Sequence, residues 1–319
     1  MSSSDHPLVV VTPIYEDVDA SAQLFRELAR IHGDDVYVVA VDDGSVKQPV
    51  NPDAMDEAGI RGVVIRLRRN VGHQRAIAVG LSYVCDHLPN CEPVVVMDCD
   101  GEDLPESINR LTGRLGELDV DVVVAQRGNR SESFRFKAFY SLYRWMFGLL
   151  TGRKIRFGNF MALTQPAVQR LVAMQELWIH IAGCLIRSRL RIAACPLDRG
   201  ARYVGQSKMN FVGLALHGFR AVMVFAEDVL VRVGIACAIV ATASVVGALA
   251  AIALKLIGFA TPGWFSIALG ILLLMFLQTG ALTLMTLMLT GVVGGGSVNS
   301  IAYKAFIDEV LRVGSDADR

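Results

Sequence analysis

Asp98 and Asp100 carry the clearest chemical meaning in this chain. They stand one residue apart in Met97-Asp98-Cys99-Asp100-Gly101, and on an extended segment such a pair faces the same way. Two hard oxygen donors side by side suit Mg2+ or Mn2+ bridging phosphates, and such a cation neutralises charge on a departing diphosphate. A solvated acidic turn or a helix cap accounts for the pair equally well. Asp42-Asp43-Gly44-Ser45 is a second acidic cluster, weak by itself because Asp-Gly is ordinary turn chemistry. The sequence has no Walker A motif, no G-x-G-x-x-G, no H-E-x-x-H and no G-x-S-x-G. That weighs against P-loop NTPases, Rossmann-type dinucleotide enzymes, zincins and serine hydrolases.

Both acidic clusters follow short runs rich in β-branched residues. Leu8–Val11, Val36–Val41, Val63–Leu67, Val94–Met97 and Val122–Ala125 predict strands apolar on both faces, as in a parallel sheet. Ala20–Ile31, Gln74–Cys85 and Pro105–Leu118 predict helices between them, the last opening on Pro105-Glu106, a good first-turn pair. The alternation predicts an α/β domain with a mostly parallel, doubly wound sheet. Polar residues gather where each strand ends: Thr12–Glu16, Asp42–Ser45, Arg68–Gln74, Asp98–Asp103 and Gln126-Arg127. Open α/β sheets bind ligands outside those carboxyl ends.

The chain has 319 residues, a length that suggests two units. Lys+Arg and Asp+Glu are 31 each, so no global charge draws the protein to nucleic acid. Hydrophobic residues make up 53%, charged residues only 19%, and the mean hydropathy is +0.42. The apolar excess is concentrated late. Val233 to Leu254 carries no charge, Lys255 interrupts, and Leu256 to Tyr303 is again uncharged. A bilayer core of about 30 Å needs about 20 apolar helical residues. Val233–Leu254 and Phe265–Val292, broken at Pro262-Gly263-Trp264, therefore predict an antiparallel membrane hairpin. Lys208, Arg220, Arg232, Lys304 and Arg312 on its flanks place both flanks in the cytosol by the positive-inside rule.

Phe211–Asp228 reads either as a helix lying in the membrane interface or as a core helix. Ile301–Val313 predicts a short amphipathic helix. Ser133–Phe147 interleaves basic and aromatic residues, which suits a membrane surface and equally an amphipathic surface helix. The N-terminus lacks the basic and apolar regions of a signal peptide, so the first domain is expected in the cytosol. The six cysteines include no C-x-x-C pair and read as buried free thiols.

Taken in order, the motifs resemble the family 2 glycosyltransferases of GT-A fold, and among them the polyprenyl-phosphate enzymes related to dolichol-phosphate mannose synthases. The resemblance rests on TPIYED (Thr12–Asp17), VDDGS (Val41–Ser45), RNVGHQRAIAVGL (Arg69–Leu81), MDCDGEDLPE (Met97–Glu106), SFRFKAFYSLYR (Ser133–Arg144) and VGQSK (Val204–Lys208). It covers roughly Pro7 to Lys208. It implies a GT-A domain over residues 1–209, a juxtamembrane amphipathic helix over 210–231, a two-helix transmembrane hairpin over 232–293 and a cytosolic tail over 294–319.

By resemblance, Pro13, Tyr15 and Glu16 would line the nucleotide. Asp42 and Asp43 would also meet it, Asp43 at the base or ribose. Asn70, Gly72 and Gln74 would shape the floor of the site. Asp98 would hold the ribose or donor sugar, and Asp100 would ligate Mg2+ or Mn2+ on the diphosphate. Arg127 would lie near a phosphate of donor or acceptor. Arg202, Ser207 and Lys208 would bind phosphate and help close the site; attraction to anionic headgroups is the competing reading of Arg202 and Lys208. Where related bacterial enzymes often carry Asp-Phe after a glycine, this chain has Asn159-Phe160, and an amide cannot act as a base. A phosphate monoester is mostly dianionic at neutral pH and needs none, whereas a sugar hydroxyl would need a carboxylate, with Asp103 and Glu102 the candidates.

The resemblance thus implies a membrane-anchored, inverting, metal-dependent transfer of sugar from a nucleoside diphosphate to a polyprenyl phosphate. Transfer to another lipid or glycan acceptor, and a catalytically weak nucleotide-sugar-binding scaffold, are the alternatives. Self-association stays open.

Overall fold

The computed structural model describes residues 8–127, 134–154, 157–204, 211–259, 263–294 and 302–314. In chain order the elements are β1 (Leu8–Ile14), α1 (Val18–His32), β2 (Val36–Asp42), α2 (Asp53–Glu57), β3 (Arg61–Leu67), α3 (His73–His87), β4 (Val94–Val96), α4 (Ile108–Glu117), β5 (Val122–Arg127) and α5 (Phe134–Thr151). They continue with β6 (Met161–Leu163), α6 (Gln165–Val172), α7 (Ile181–Ser188), β7 (Ile192–Leu197), α8 (Phe211–Met223), α9 (Ala226–Leu256), α10 (Trp264–Gly294) and β8 (Ile307–Val313). The chain divides into two compact units: Met1–Ser133 with Ile155–Val224 and Asn299–Arg319, and Phe134–Lys154 with Phe225–Val298.

The first unit is built on an eight-stranded sheet of order β7-β5-β6-β4-β1-β2-β3-β8. Pairings β1–β2, β1–β4, β2–β3 and β5–β7 are parallel, while β6 and β8 run antiparallel to their neighbours. The five valine-rich runs are indeed β1 to β5. Their alternation divides the core. Val9, Val11, Val39, Val41, Val63, Ile65, Val94 and Val96 join one apolar cluster with Ile77, Leu81, Val168 and Ile181 of α3, α6 and α7. Val10, Val38, Ala40, Val64 and Val95 join the other, with Leu24, Phe25, Leu28, Ile108 and Leu111 of α1 and α4. Helices therefore cover both faces, as runs apolar on both sides require. The strand order turns back at β1, between β2 and β4, which is the switch point where such sheets open a crevice beyond their carboxyl ends.

The C-terminal segment corrects the expectation of an amphipathic helix over Ile301–Val313. Its described part forms a short turn (Tyr303–Phe306) and then strand β8, antiparallel to β3. Val313 and Leu311 pack with the second cluster and Ile307 with the first, and Glu309 pairs with Arg66 at 3.1 Å. The edge of β3 offers unpaired backbone groups that a helix would leave unanswered.

In the second unit α9 and α10 are 31 residues each, long and apolar enough to cross a membrane. They pack on each other where side chains are small: a Cβ on Gly234 would lie 3.1 Å from Thr286 Oγ1, and one on Gly247 3.2 Å from Leu272. Such close approach drives helix pairing when apolar burial is no incentive. Many of their large side chains face outward, with Ile239 65% and Leu284 66% exposed, contrary to what a core helix does. The run Phe211–Asp228 divides into α8 and the start of α9. The basic-aromatic stretch lies in α5, whose last turn is closed by Arg232 donating to the Leu149 carbonyl at 3.2 Å. All six cysteines are free thiols.

Candidate active site

The segments that follow β1, β2, β3 and β4 interlock, and carboxylates hold them together. Glu16, in the left-handed region at φ 48°, donates its N–H to Ser45 Oγ at 2.8 Å. Its carboxylate accepts the backbone N–H groups of Val46 (2.8 Å), Lys47 (3.1 Å) and Gln48 (2.7 Å). Those donors, Val46 first, hold its carboxyl below the ordinary value. Asp42 accepts from Ser45 N and Val50 N, both at 2.9 Å. Buried Asp43 accepts from Val71 N (2.7 Å) and Gly72 N (2.9 Å); burial pushes its carboxyl up and the two donors pull it back. Pro13 is buried in β1, while Tyr15 and Asn70 are exposed. Of the residues expected around a nucleotide, Glu16, Asp42 and Asp43 thus brace the loops, and Tyr15 and Asn70 lie at the surface.

A second network starts from α3. Buried Gln74 accepts from Ile181 N at 2.8 Å and donates to Asn159 Oδ1 at 3.2 Å. Asn159 Nδ2 lies 2.9 Å from His73 Nε2, which lies 3.2 Å from Asp98 Oδ1. The His73 side chain keeps 42% of its surface exposed. Burial would lower its pKa, but Asp98, with Asp43 and Asp103, outweighs this and holds the imidazole above its ordinary value.

The third network surrounds Asp100. Strand β4 ends at Val96, so residues 98–103 turn instead of extending. Asp98 and Asp100 therefore do not share one strand face as their spacing suggested: Asp98 meets His73, while Asp100 meets Arg202 Nη2 at 2.8 Å. Arg202 Nε also reaches Glu102 at 3.1 Å, and Arg199 pairs with Glu102. Buried Asp103 accepts from Asp98 N at 3.0 Å. The backbones lock as well, through Tyr203 N to Asp100 O (2.9 Å) and Gly200 N to Glu102 O (3.0 Å). Gly101, at φ 88°, and Gly200 permit this approach; a Cβ on Gly200 would sit 2.3 Å from the Gly101 carbonyl oxygen. Ser207, Lys208 and the side chain of Arg127 lie outside the described residues.

Carboxylate oxygens are the right donors for Mg2+ or Mn2+, and one is enough when diphosphate and water supply the other ligands. Among the described residues no three His, Cys, Asp or Glu side chains form a ready cation cage. Asp100 fits a cation shared with phosphate oxygens, provided Arg202 releases it.

Sequence reading gives no role to His73 or Arg199. His73 stands within the polar strand-end segment Arg68–Gln74, and Arg199 is signalled only by standing three residues before Arg202.

Residues 9–178 match the profile of "Glycosyl transferase family 2". An undecaprenyl-phosphate 4-deoxy-4-formamido-L-arabinose transferase from Enterobacter sp. (strain 638) is 28% identical over 222 residues, 66% of this chain and 64% of that protein. The protein of the same name from Klebsiella pneumoniae is 26% identical over 212 residues, covering 64% and 63%. The chain thus spans less than two thirds of these relatives' length. Among solved structures, glucosyl-3-phosphoglycerate synthase from Mycobacterium tuberculosis, in complex with Mn2+, UDP-glucose and phosphoglyceric acid, is 16% identical. It aligns at a TM-score of 0.51 over 72% of this chain and 80% of that one, a likeness of fold.

Proposed function

This chain belongs to glycosyl transferase family 2, and we propose that it moves a sugar from a nucleoside diphosphate to the phosphate of a polyprenyl lipid. The observation that carries the acceptor class is the state of the carboxylates around the crevice. Glu16, Asp42, Asp43 and Asp103 are held by backbone N–H groups, Asp98 by His73, and Asp100 and Glu102 by arginines. An amide stands at Asn159. Asp103 and Glu102, the bases a hydroxyl acceptor would need, are therefore already engaged. A phosphate monoester, with a second pKa near about 6, arrives ionised.

One acceptor oxygen would attack the anomeric carbon in line, forming the new C–O bond as the bond to the diphosphate breaks, and the nucleoside diphosphate leaves. Positioning and charge stabilisation then supply most of the rate. Tyr15 and Asn70 would meet the nucleotide beside loops braced by Glu16, Asp42 and Asp43. Asp98, oriented by His73 and by the loop that Asp103 pins, would hold ribose or sugar hydroxyls. Arg202 would turn from Asp100 to the phosphates, with Arg127, Ser207 and Lys208 assigned there by resemblance. Mg2+ or Mn2+, held by Asp100, would neutralise charge on the leaving diphosphate.

We place α9 and α10 in the membrane with the transferase unit on the cytosolic face, where the flanking Arg232 and Lys304 belong. An enzyme fixed there meets a lipid acceptor at high local concentration. The test is incubation of the purified full chain with radiolabelled UDP- and GDP-sugars, Mn2+ and undecaprenyl or dolichyl phosphate. Label extracted into organic solvent supports the proposal. Label only on a glycan supports the other-acceptor reading, and nucleotide binding without turnover supports a scaffold.

A further inference from the structure

Arg220 belongs to none of the networks above. It lies on α8, exposed, and its Nη1 comes 3.9 Å from the point a Cβ on Gly72 would occupy. The guanidinium thus stands beside the 70–73 loop at the mouth of the crevice, next in sequence to His73. Gly72 leaves room there, at φ 91°, and its own N–H is committed to Asp43. The position of α8 is fixed by its end: a Cβ on Gly183 of α7 would lie 3.0 Å from Val224, and α7 begins at Ile181, which is bound to Gln74.

Two further facts define the ligand. Among the described residues no carboxylate pairs with Arg220, whereas Arg187, Arg191, Arg199 and Arg202 each have one. On the same helix Leu216, Phe219 and Met223 are 53%, 58% and 60% exposed; their spacing of three and four residues puts them on the face that carries Arg220. One short link later, at Val224-Phe225, the apolar helix α9 begins.

We propose that Arg220 binds the acceptor phosphate at the mouth of the crevice, while Leu216, Phe219 and Met223 lie along the first part of its hydrocarbon tail. This rests on the transferase reading above and deepens it by naming the acceptor's contacts. A soluble phosphomonoester would use the cation and ignore the apolar face; a prenyl phosphate uses both.

Steady-state kinetics of the full chain in nanodiscs, with undecaprenyl phosphate and with glycerol phosphate as alternative acceptors, tests this. R220Q is expected to raise the undecaprenyl phosphate KM roughly tenfold to a hundredfold, the worth of a charge-assisted hydrogen bond, while the sugar-nucleotide KM stays put. R220K recovers part of the loss, and F219S raises the same KM. An R220Q protein with an unchanged acceptor KM, or with its rise in the sugar-nucleotide KM instead, overturns the inference and leaves the transferase reading standing. Transfer to glycerol phosphate that depends on Arg220 but not on Phe219 overturns the lipid assignment. Failure of the unmutated chain to use either phosphate overturns both inference and reading.

Discussion

Replacing Arg202 by Gln is expected to move cation binding and turnover in opposite directions. In the structure Arg202 bridges Asp100 at 2.8 Å and Glu102 at 3.1 Å, with side-chain exposures of 25%, 15% and 16%. A cation that takes Asp100 must first displace the guanidinium. Charge-assisted bonds of this kind are worth about 1.5–3 kcal/mol when well enclosed, and partial exposure reduces that to about 1–2 kcal/mol. Removing the competitor should therefore tighten Mn2+ binding to the nucleotide-free protein by roughly five- to thirtyfold. Glu102 keeps Arg199, and Gly200 and Tyr203 keep their backbone bonds to the acidic loop, so the loop stays docked. Turnover should fall by about 10²–10³, as when a donor to developing negative charge is lost. Calorimetric titration with Mn2+ in the absence of nucleotide, beside transfer kinetics, reads both. Mn2+ affinity that is unchanged or weaker in R202Q would refute the idea that Arg202 guards Asp100.

Asp100→Ala should abolish both transfer and Mn2+-dependent binding of the sugar nucleotide; wild-type activity in that variant removes the metal assignment. Asn159→Asp should change the rate on a phosphate acceptor by less than about tenfold, because no base is wanted; a gain of several orders of magnitude in transfer assays would show that one was. Gly200→Ala drives a methyl into the Gly101 carbonyl and should cost about 1–3 kcal/mol, read as a lower melting temperature together with lost transfer. His73 has a folded pKa raised above its ordinary 6.5, so its stabilising contribution is complete below that pH and lost as pH rises through the folded value. The difference in melting temperature between the wild-type protein and His73→Gln should accordingly be largest in mild acid and close in alkali; a gap that widens in alkali contradicts the ion pair with Asp98.

The legible part of the fold was the part written in local pattern. Val36–Val41 and Val94–Met97 are legible as buried strands because they are apolar throughout, and α9 and α10 because the long uncharged stretches Val233–Leu254 and Phe265–Val292 run through them. Strand β6 has only three residues, Met161–Leu163, too few to show a period. Strand β7 combines exposed and buried positions with a proline at Pro196. Strand β8 has an acidic pair, Asp308-Glu309, that reads as a solvated helix face until β3 is there to pair with it. In the site, the acidic clusters were visible as clusters, but their partners were not. Asn159 meets His73 from 86 residues away, and Arg202 meets Glu102 from 100. Only the sheet order brings them together. The one-residue spacing of Asp98 and Asp100 puts both on one face only if the strand continues through them, and β4 ends at Val96.

The decisive observation is the chemical linkage in the product. The full chain would be supplied with its sugar nucleotide, Mn2+ and undecaprenyl phosphate, and the lipid fraction analysed by mass spectrometry before and after mild acid. A lipid heavier by one sugar residue, which releases that sugar in mild acid and returns undecaprenyl phosphate, is the expected result, because the sugar is joined through the acceptor's phosphate oxygen. A sugar found only on a hydroxyl acceptor, stable to the same acid, would mean that a base operates in this crevice after all.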